Sequence, residues 1–202
     1  MLRPTTLTAM SIVAALTGSA FAAPLNLVGG LPDASAGFIK VTYNAGTGAF
    51  SATGLSQNLN FPGFGINNTL GNKLFTLQAV IDNAGNASSA SLEVRGNFIT
   101  NDRVLFKSNR LQAFGFGATR KFEFVFLNDT GEILPVNGEI GVILIGNGLS
   151  FAGGVPSFGS SFNNQPNQII PATGNADTFF IPTPGAAALG FVGLLAAGRR
   201  RR

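Results

Sequence analysis

The chain has no cysteine, no histidine and no tryptophan, a single tyrosine, and only 11% charged residues. Without cysteine no disulfide framework is possible, so side-chain packing must hold the fold. Without histidine the commonest general base is missing, and a Ser-His-Asp triad cannot be assembled. Lacking both residues, the chain has none of the ordinary ligand sets for zinc, copper or haem. No enzyme activity and no cofactor are therefore expected, and no catalytic, cofactor-binding or metal-binding residue is assigned. Sugar-binding surfaces usually present tryptophan or tyrosine rings, and here only Tyr43 is available.

Basic residues are also scarcer than the formal charge of +4 suggests. Arg3 and Arg199 to Arg202 lie at the two ends. Setting those five aside leaves eight basic and nine acidic residues, a net charge of −1. The excess of positive charge belongs to the termini. It does not describe the basic face that nucleic-acid binding requires, so no nucleic acid is expected as a partner.

Phenylalanine, glycine and asparagine are plentiful. Of the 19 phenylalanines, 17 fall between residues 23 and 181. That stretch has the length of one ordinary domain and contains enough aromatic volume for a core without cross-links.

Met1 to Ala22 reads as a secretory signal peptide. Arg3 supplies the positive start and Leu7 to Leu16 an apolar centre. Ala20-Phe21-Ala22 places small residues at Ala20 and Ala22 for cleavage. At the other end, Pro182-Thr183-Pro184 precedes an apolar run from Ala186 to Gly198, which four arginines follow, Arg199, Arg200, Arg201 and Arg202. A helix of that length is roughly 20 Å long, short of the ~20 residues that a stable membrane span needs. The arginines resist translocation and act as a membrane stop. Two readings follow: a weak anchor, or a sorting signal that inserts transiently and whose tail is removed.

This tail, residues 181–202, resembles the PEP-CTERM sorting signal of Gram-negative bacteria. Thr183 stands where that family usually has glutamate. The resemblance implies an exosortase-type membrane enzyme as processing partner, with Pro182, Thr183 and Pro184 as the sorting motif. It also implies export to the cell surface or to an extracellular polysaccharide matrix. A second motif, Ile170-Pro171-Ala172-Thr173-Gly174, looks like a sortase signal. It lies too far upstream of the apolar run to act with it and reads as coincidence. The segments 38–50, 111–116 and 176–179 loosely resemble uncharacterised PEP-CTERM proteins, and no activity comes with that likeness.

Between the ends, period-two patterns and turn residues recur at short spacing, the mark of an all-β domain. Phe38–Tyr43 and Ala49–Thr53 flank an Asn-Ala-Gly-Thr-Gly turn. Leu74–Ile81 and Ala90–Arg95 flank an Asp-Asn-Ala-Gly-Asn turn. Leu111–Phe116 and Phe122–Leu127 form the clearest hairpin, with Phe114, Phe116, Phe122, Phe124 and Phe126 inward and Lys121 and Glu123 outward. Val142–Ile145 reads as a buried strand. The expected fold is a single antiparallel β-sandwich of about eight to ten strands, with phenylalanine packed between two sheets. A closed barrel is the alternative. The expected layout is a signal peptide (1–22), the sandwich (23–154), a Pro/Asn/Ser-rich segment leading to the tail (155–180), and the sorting signal with its short hydrophobic helix (181–202).

The acids between the two terminal signals are Asp33, Asp82, Glu93, Asp102, Glu123, Asp129, Glu132, Glu139 and Asp177. Two carboxylates are enough for glycoside hydrolysis, but Glu93 and Glu123 alternate with apolar residues and are expected to face solvent. Residues 82–86 and 128–132 carry oxygen ligands that could suit calcium, and the same residues are those that hairpin turns demand. The turn reading is preferred. Gly46-Thr47-Gly48, Gly115-Phe116-Gly117 and Gly146-Asn147-Gly148 lack the context of a nucleotide loop and read as turn or close-packing glycines. The functional expectation is an exported structural or adhesive protein. The rival is a glycan-binding module of the exopolysaccharide matrix.

Overall fold

The computed structural model describes residues 23–31, 33–61, 66–98, 101–127, 129–133, 138–151, 155–165 and 171–181. Ala20, Ala22, Pro182, Thr183, Pro184, Arg199, Arg200, Arg201 and Arg202 lie outside the described residues, as does the expected C-terminal helix.

Ten antiparallel strands form one strongly curled sheet, a half-barrel. They are β1 (Asp33–Asn44), β2 (Ala49–Phe61), β3 (Ile66–Ile81), β4 (Ala87–Phe98), β5 (Asn101–Ser108), β6 (Leu111–Gly117), β7 (Lys121–Leu127), β8 (Glu139–Ile145), β9 (Phe162–Asn163) and β10 (Gly174–Ile181). The order across the sheet is β5-β4-β3-β2-β1-β10-β8-β7-β6, and β9 pairs with the end of β1.

The expected strands and turns are present. Phe114 pairs with Phe124 and Phe116 with Phe122, the register the alternation requires. Two expectations are corrected. There is one continuous hydrogen-bonded sheet where two were expected, because β10 joins the halves by pairing with both β1 and β8. For the same reason residues 155–180 do not simply lead away from the domain. They contribute β9 and most of β10, which lies in the middle of the sheet.

Curling brings the two halves face to face around a common core. Phe122, Phe124 and Phe126 of β7 are fully buried, as are Phe75 of β3 and Phe106 of β5. Phe50 of β2 meets Phe122 at 5.2 Å between ring centroids, and Phe106 meets Phe180 of β10 at 5.4 Å. Burial of side chains of this size contributes ~1.5–3 kcal/mol each before the entropy of ordering is counted. Aromatic packing therefore holds together a chain that has no disulfide.

The strand β1 carries a bulge. Its register shifts between Ala36 and Ile39 against β10, and between Gly37 and Lys40 against β2. Phe38 occupies the extra position at φ 53° and is 57% exposed. A non-glycine residue in the left-handed region is strained by roughly 1–2 kcal/mol. Beyond the bulge β10 ends and β9 begins, and the gap is filled by Asn164. Its Oδ1 accepts the Val41 N–H at 2.8 Å and its Nδ2 donates to the Ile39 carbonyl at 2.9 Å. The side chain replaces a strand for one residue pair. The free edge of β5 is also covered: Lys107 and Thr130 exchange backbone hydrogen bonds at 2.9 and 3.0 Å, and Glu132 donates to Val104. Paired or covered edges resist sheet-to-sheet association.

Candidate functional site

The outer side of the curled sheet divides into two regions. Over β6 and β7 the outer positions are Gly115, Gly117, Lys121, Glu123 and Val125. Here the chain entering β1 lies across the sheet as a strap, residues 23–31, which has no strand pairing.

The strap is gripped by one carboxylate. Glu123 Oε2 accepts the N–H groups of Leu25 at 2.7 Å and Asn26 at 3.1 Å, and Oε1 accepts that of Leu27 at 2.8 Å. Lys121 Nζ lies 2.6 Å from the same Oε1. Asn26 adopts φ 55°, which turns three successive N–H groups toward a single anion. Glu123 is 0% exposed. Burial by itself would raise its carboxyl pKa, but the Lys121 ammonium and the Leu27 and Leu25 N–H groups outweigh it and hold the group below its ordinary value.

Glycines make room for the strap. A Cβ on Gly115 would stand 2.8 Å from Leu25 Cγ, and one on Gly117 would stand 3.1 Å from Pro24 Cγ. The expectation that Glu123 faces solvent is thus corrected. The face assignment holds, but the strap covers that face. The close-packing alternative for Gly115 and Gly117 is the one realised, and these two glycines at outer positions are the sequence signal that something lies on top of them.

Further along, the strap reaches β10, where Gly30 sits against the Phe180 carbonyl. It then enters β1 at Asp33. Asp33 is opposite Phe179, and Ser35 is opposite Asp177, so Asp33 and Asp177 are diagonal neighbours on the outer face. Burial first, and then the charge of Asp177, push the Asp33 carboxyl up to about 6. Burial also raises Asp177. Asp33 Oδ1 is buried and has no hydrogen-bond partner among the described residues.

Over β1 to β5 the outer face is largely polar, and none of the described residues forms a strap across it. One row across it runs Lys40, Thr53, Thr76, Glu93, Lys107, and the next runs Thr42, Ser51, Gln78, Ser91. An open groove of about 360 Å³ follows these rows, lined by Leu74, Thr76, Gln78, Glu93, Lys107 and Asp129 among others. Glu93 lies 3.1 Å from Lys107 and 3.4 Å from Arg95, and Arg95 also meets Asp102 at 3.3 Å. Hydrogen bonding from Lys107 lowers the Glu93 pKa against the opposing effect of burial. Leu55 and Leu74 pair on this face, 37% and 44% exposed, in register with the bulge at Phe38.

The remaining acids are dispersed. Asp82 caps its own turn, accepting the N–H groups of Ala84 at 2.9 Å and Asn86 at 2.8 Å. These bonds, that of Asn86 first, lower its pKa. In the other loop Thr130 and Glu132 use their backbone to cover β5. Glu132 also pairs with Arg103 at 3.5 Å. Among the described residues no group of three or more acidic side chains is placed to hold a metal ion. No helix among them is long and apolar enough to cross a membrane.

No family model, curated protein or solved structure matches the chain. The fold and its site thus define an all-β antiparallel half-barrel with a strapped face and an open polar face.

Proposed function

We propose that this is a non-catalytic exported protein of the bacterial surface or extracellular matrix, structural or adhesive, sorted through its C-terminal signal. The observation that supports this reading best is where the aromatic rings go. Phe50, Phe75, Phe106, Phe122, Phe124 and Phe126 are all committed to the core, while the carboxylates are spread among turns and ion pairs. Such a layout suits a rigid scaffold. Intact-mass measurement on the native protein tests the sorting part. Loss of residues 1–22 and of those after about Pro184 is expected. Recovery of chains retaining Arg199–Arg202 in the outer layers of the cell would overturn it.

A second reading, a glycan-binding module, is favoured by the open face of β1 to β5. Phe38, Leu55 and Leu74 offer apolar contact for the C–H face of a sugar ring. Gln78, Glu93, Lys107 and Asp129 offer donors and acceptors for its hydroxyls. A glycan array probed with the processed protein separates the two readings: a hit lost on Phe38→Gly supports the module, and a blank array supports the scaffold.

A further inference from the structure

We propose that residues 23–31 are an exchangeable strap, laid over Glu123 of their own chain in the single molecule and over Glu123 of a second copy when chains associate. The inference concerns how copies of the chain join. It extends the scaffold reading without depending on it, because exchange is measured on purified protein and sorting is measured in the cell.

The receptor is complete and chemically general. A buried carboxylate takes three consecutive backbone N–H groups, at 2.7, 3.1 and 2.8 Å, and Lys121 fixes its orientation from the side. Backbone N–H groups are the same in every copy, so the site cannot tell its own strap from a neighbour's. Nor can it be left empty at low cost. Departure of the strap would leave the Glu123 carboxylate with Lys121 as its remaining partner among the described residues. A replacement strap restores every bond.

The connection to the sheet permits the movement. The strap makes no strand ladder, so it leaves without disturbing the register of any strand. It joins β1 at Asp33, whose buried Oδ1 lacks a partner among the described residues and whose carboxyl stands diagonal to that of Asp177. Like charges at the joint favour its opening. Strained joints of this kind promote swapping of an element between copies. No charged residue of the strap and none on the β2 side, where Asn60 is opposite Asp33, offsets the pair.

The strap also presents an unused apolar side. Val28 is 84% exposed and Leu31 57%. In the single molecule these side chains contact water, and a second copy seated along the strap would cover them. Reciprocal exchange gives a closed two-fold dimer, and one-way exchange gives an open filament.

The cysteine-free sequence makes a direct test possible. Pro24 Cβ lies 3.3 Å from the position a Cβ on Gly117 would take, near the ~3.5–4.5 Å of a disulfide. Gly117 has an extended φ of −147°, which any residue adopts. Full-length chains carrying Pro24→Cys are mixed with full-length chains carrying Gly117→Cys under mild oxidation at low and high concentration. The expected product is a 24–117 linked heterodimer, at least about five-fold more abundant than either homodimer and increasing with concentration. A chain carrying both substitutions should yield linked dimers and longer species at high concentration. The proposal is overturned if the doubly substituted chain closes only on itself at every concentration and the mixture yields no 24–117 link. It is equally overturned if no link forms in any arm. As a measurement without introduced cysteine, sedimentation of the unsubstituted chain should show a concentration-dependent dimer, reduced at least five-fold in Glu123→Gln. An unchanged dimer fraction in that variant would contradict the role given to Glu123.

Discussion

Phe50 of β2 and Phe124 of β7 meet across the interior with their ring centroids 5.8 Å apart, although β1, β10 and β8 separate their strands in the sheet. The contact exists because the sheet is strongly curled and brings its halves together. Both rings are buried, and Phe124 also stacks with Phe126 and packs at a tilt against Phe114. Phe124→Ala should therefore cost roughly 3–5 kcal/mol, from lost transfer energy and the remaining cavity. Chemical denaturation measures this directly. A change below about 1 kcal/mol would mean that the rings are not packed as described.

Glu123→Gln keeps the size of the side chain and removes its charge. The three N–H groups of the strap then face a neutral amide, and Lys121 loses its ion-pair partner. The expected cost is about 1–3 kcal/mol. The diagnostic readout is local: the amides of Leu25, Asn26 and Leu27 should exchange with solvent at least ten-fold faster, while those of β3 and β4 keep their protection.

The acids at the two ends of the strap act with opposite sign on stability as pH changes. The Asp33 carboxyl is raised from 3.8 to about 6 in the fold. Its contribution is fully present below about pH 4 and is lost as pH rises toward 6. The Glu123 carboxyl is held below its ordinary 4.5. Its contribution is present above that value and is lost as pH falls through the lowered pKa. Asp33→Asn should stabilise the protein at pH 7 by about 1 kcal/mol, once solvent screening at this partly exposed site is allowed for. At pH 4 it should change little. Thermal melts across pH 3–8 on both chains check the sign.

Phe38 is strained and exposed. Phe38→Gly removes the left-handed penalty and should leave stability unchanged or raise it by up to about 1 kcal/mol. Loss of surface adhesion or glycan binding in a variant of undiminished stability would identify the ring as a contact residue. A destabilised variant would instead show that the ring supports the bulge.

Asn164 substitutes for a missing strand. Asn164→Ala leaves the Val41 N–H and the Ile39 carbonyl without their partner in a buried setting. The expected loss is ~1–3 kcal/mol, with faster exchange of the Val41 amide as its signature. Asn164→Asp should fare no better, since it keeps the acceptor for Val41 and loses the donor for Ile39.

Period-two alternation is a local property, and it determined much of this protein from sequence alone. It assigned Phe122, Phe124 and Phe126 to one face and Lys121 and Glu123 to the other, and the turn at residues 82–86 followed from Asp82, Gly85 and Asn86. The lack of cysteine likewise required a core held by packing. What local pattern could not supply was which face meets water and which distant strand completes the sheet. Alternation separates two sides of a strand but does not say what lies on either. Only the tertiary structure placed the strap over Glu123, since Leu25 and Glu123 are 98 residues apart and the link is made by backbone N–H groups that every sequence has. Only the tertiary structure put β10 between β1 and β8, so that two expected sheets became one. The composition of residues 155–180 resembles a linker, and the strand at its end is held by partners remote in the chain. Long-range pairing depends on how the whole curl closes around its phenylalanines, and that is decided by packing among strands rather than by any one stretch of sequence.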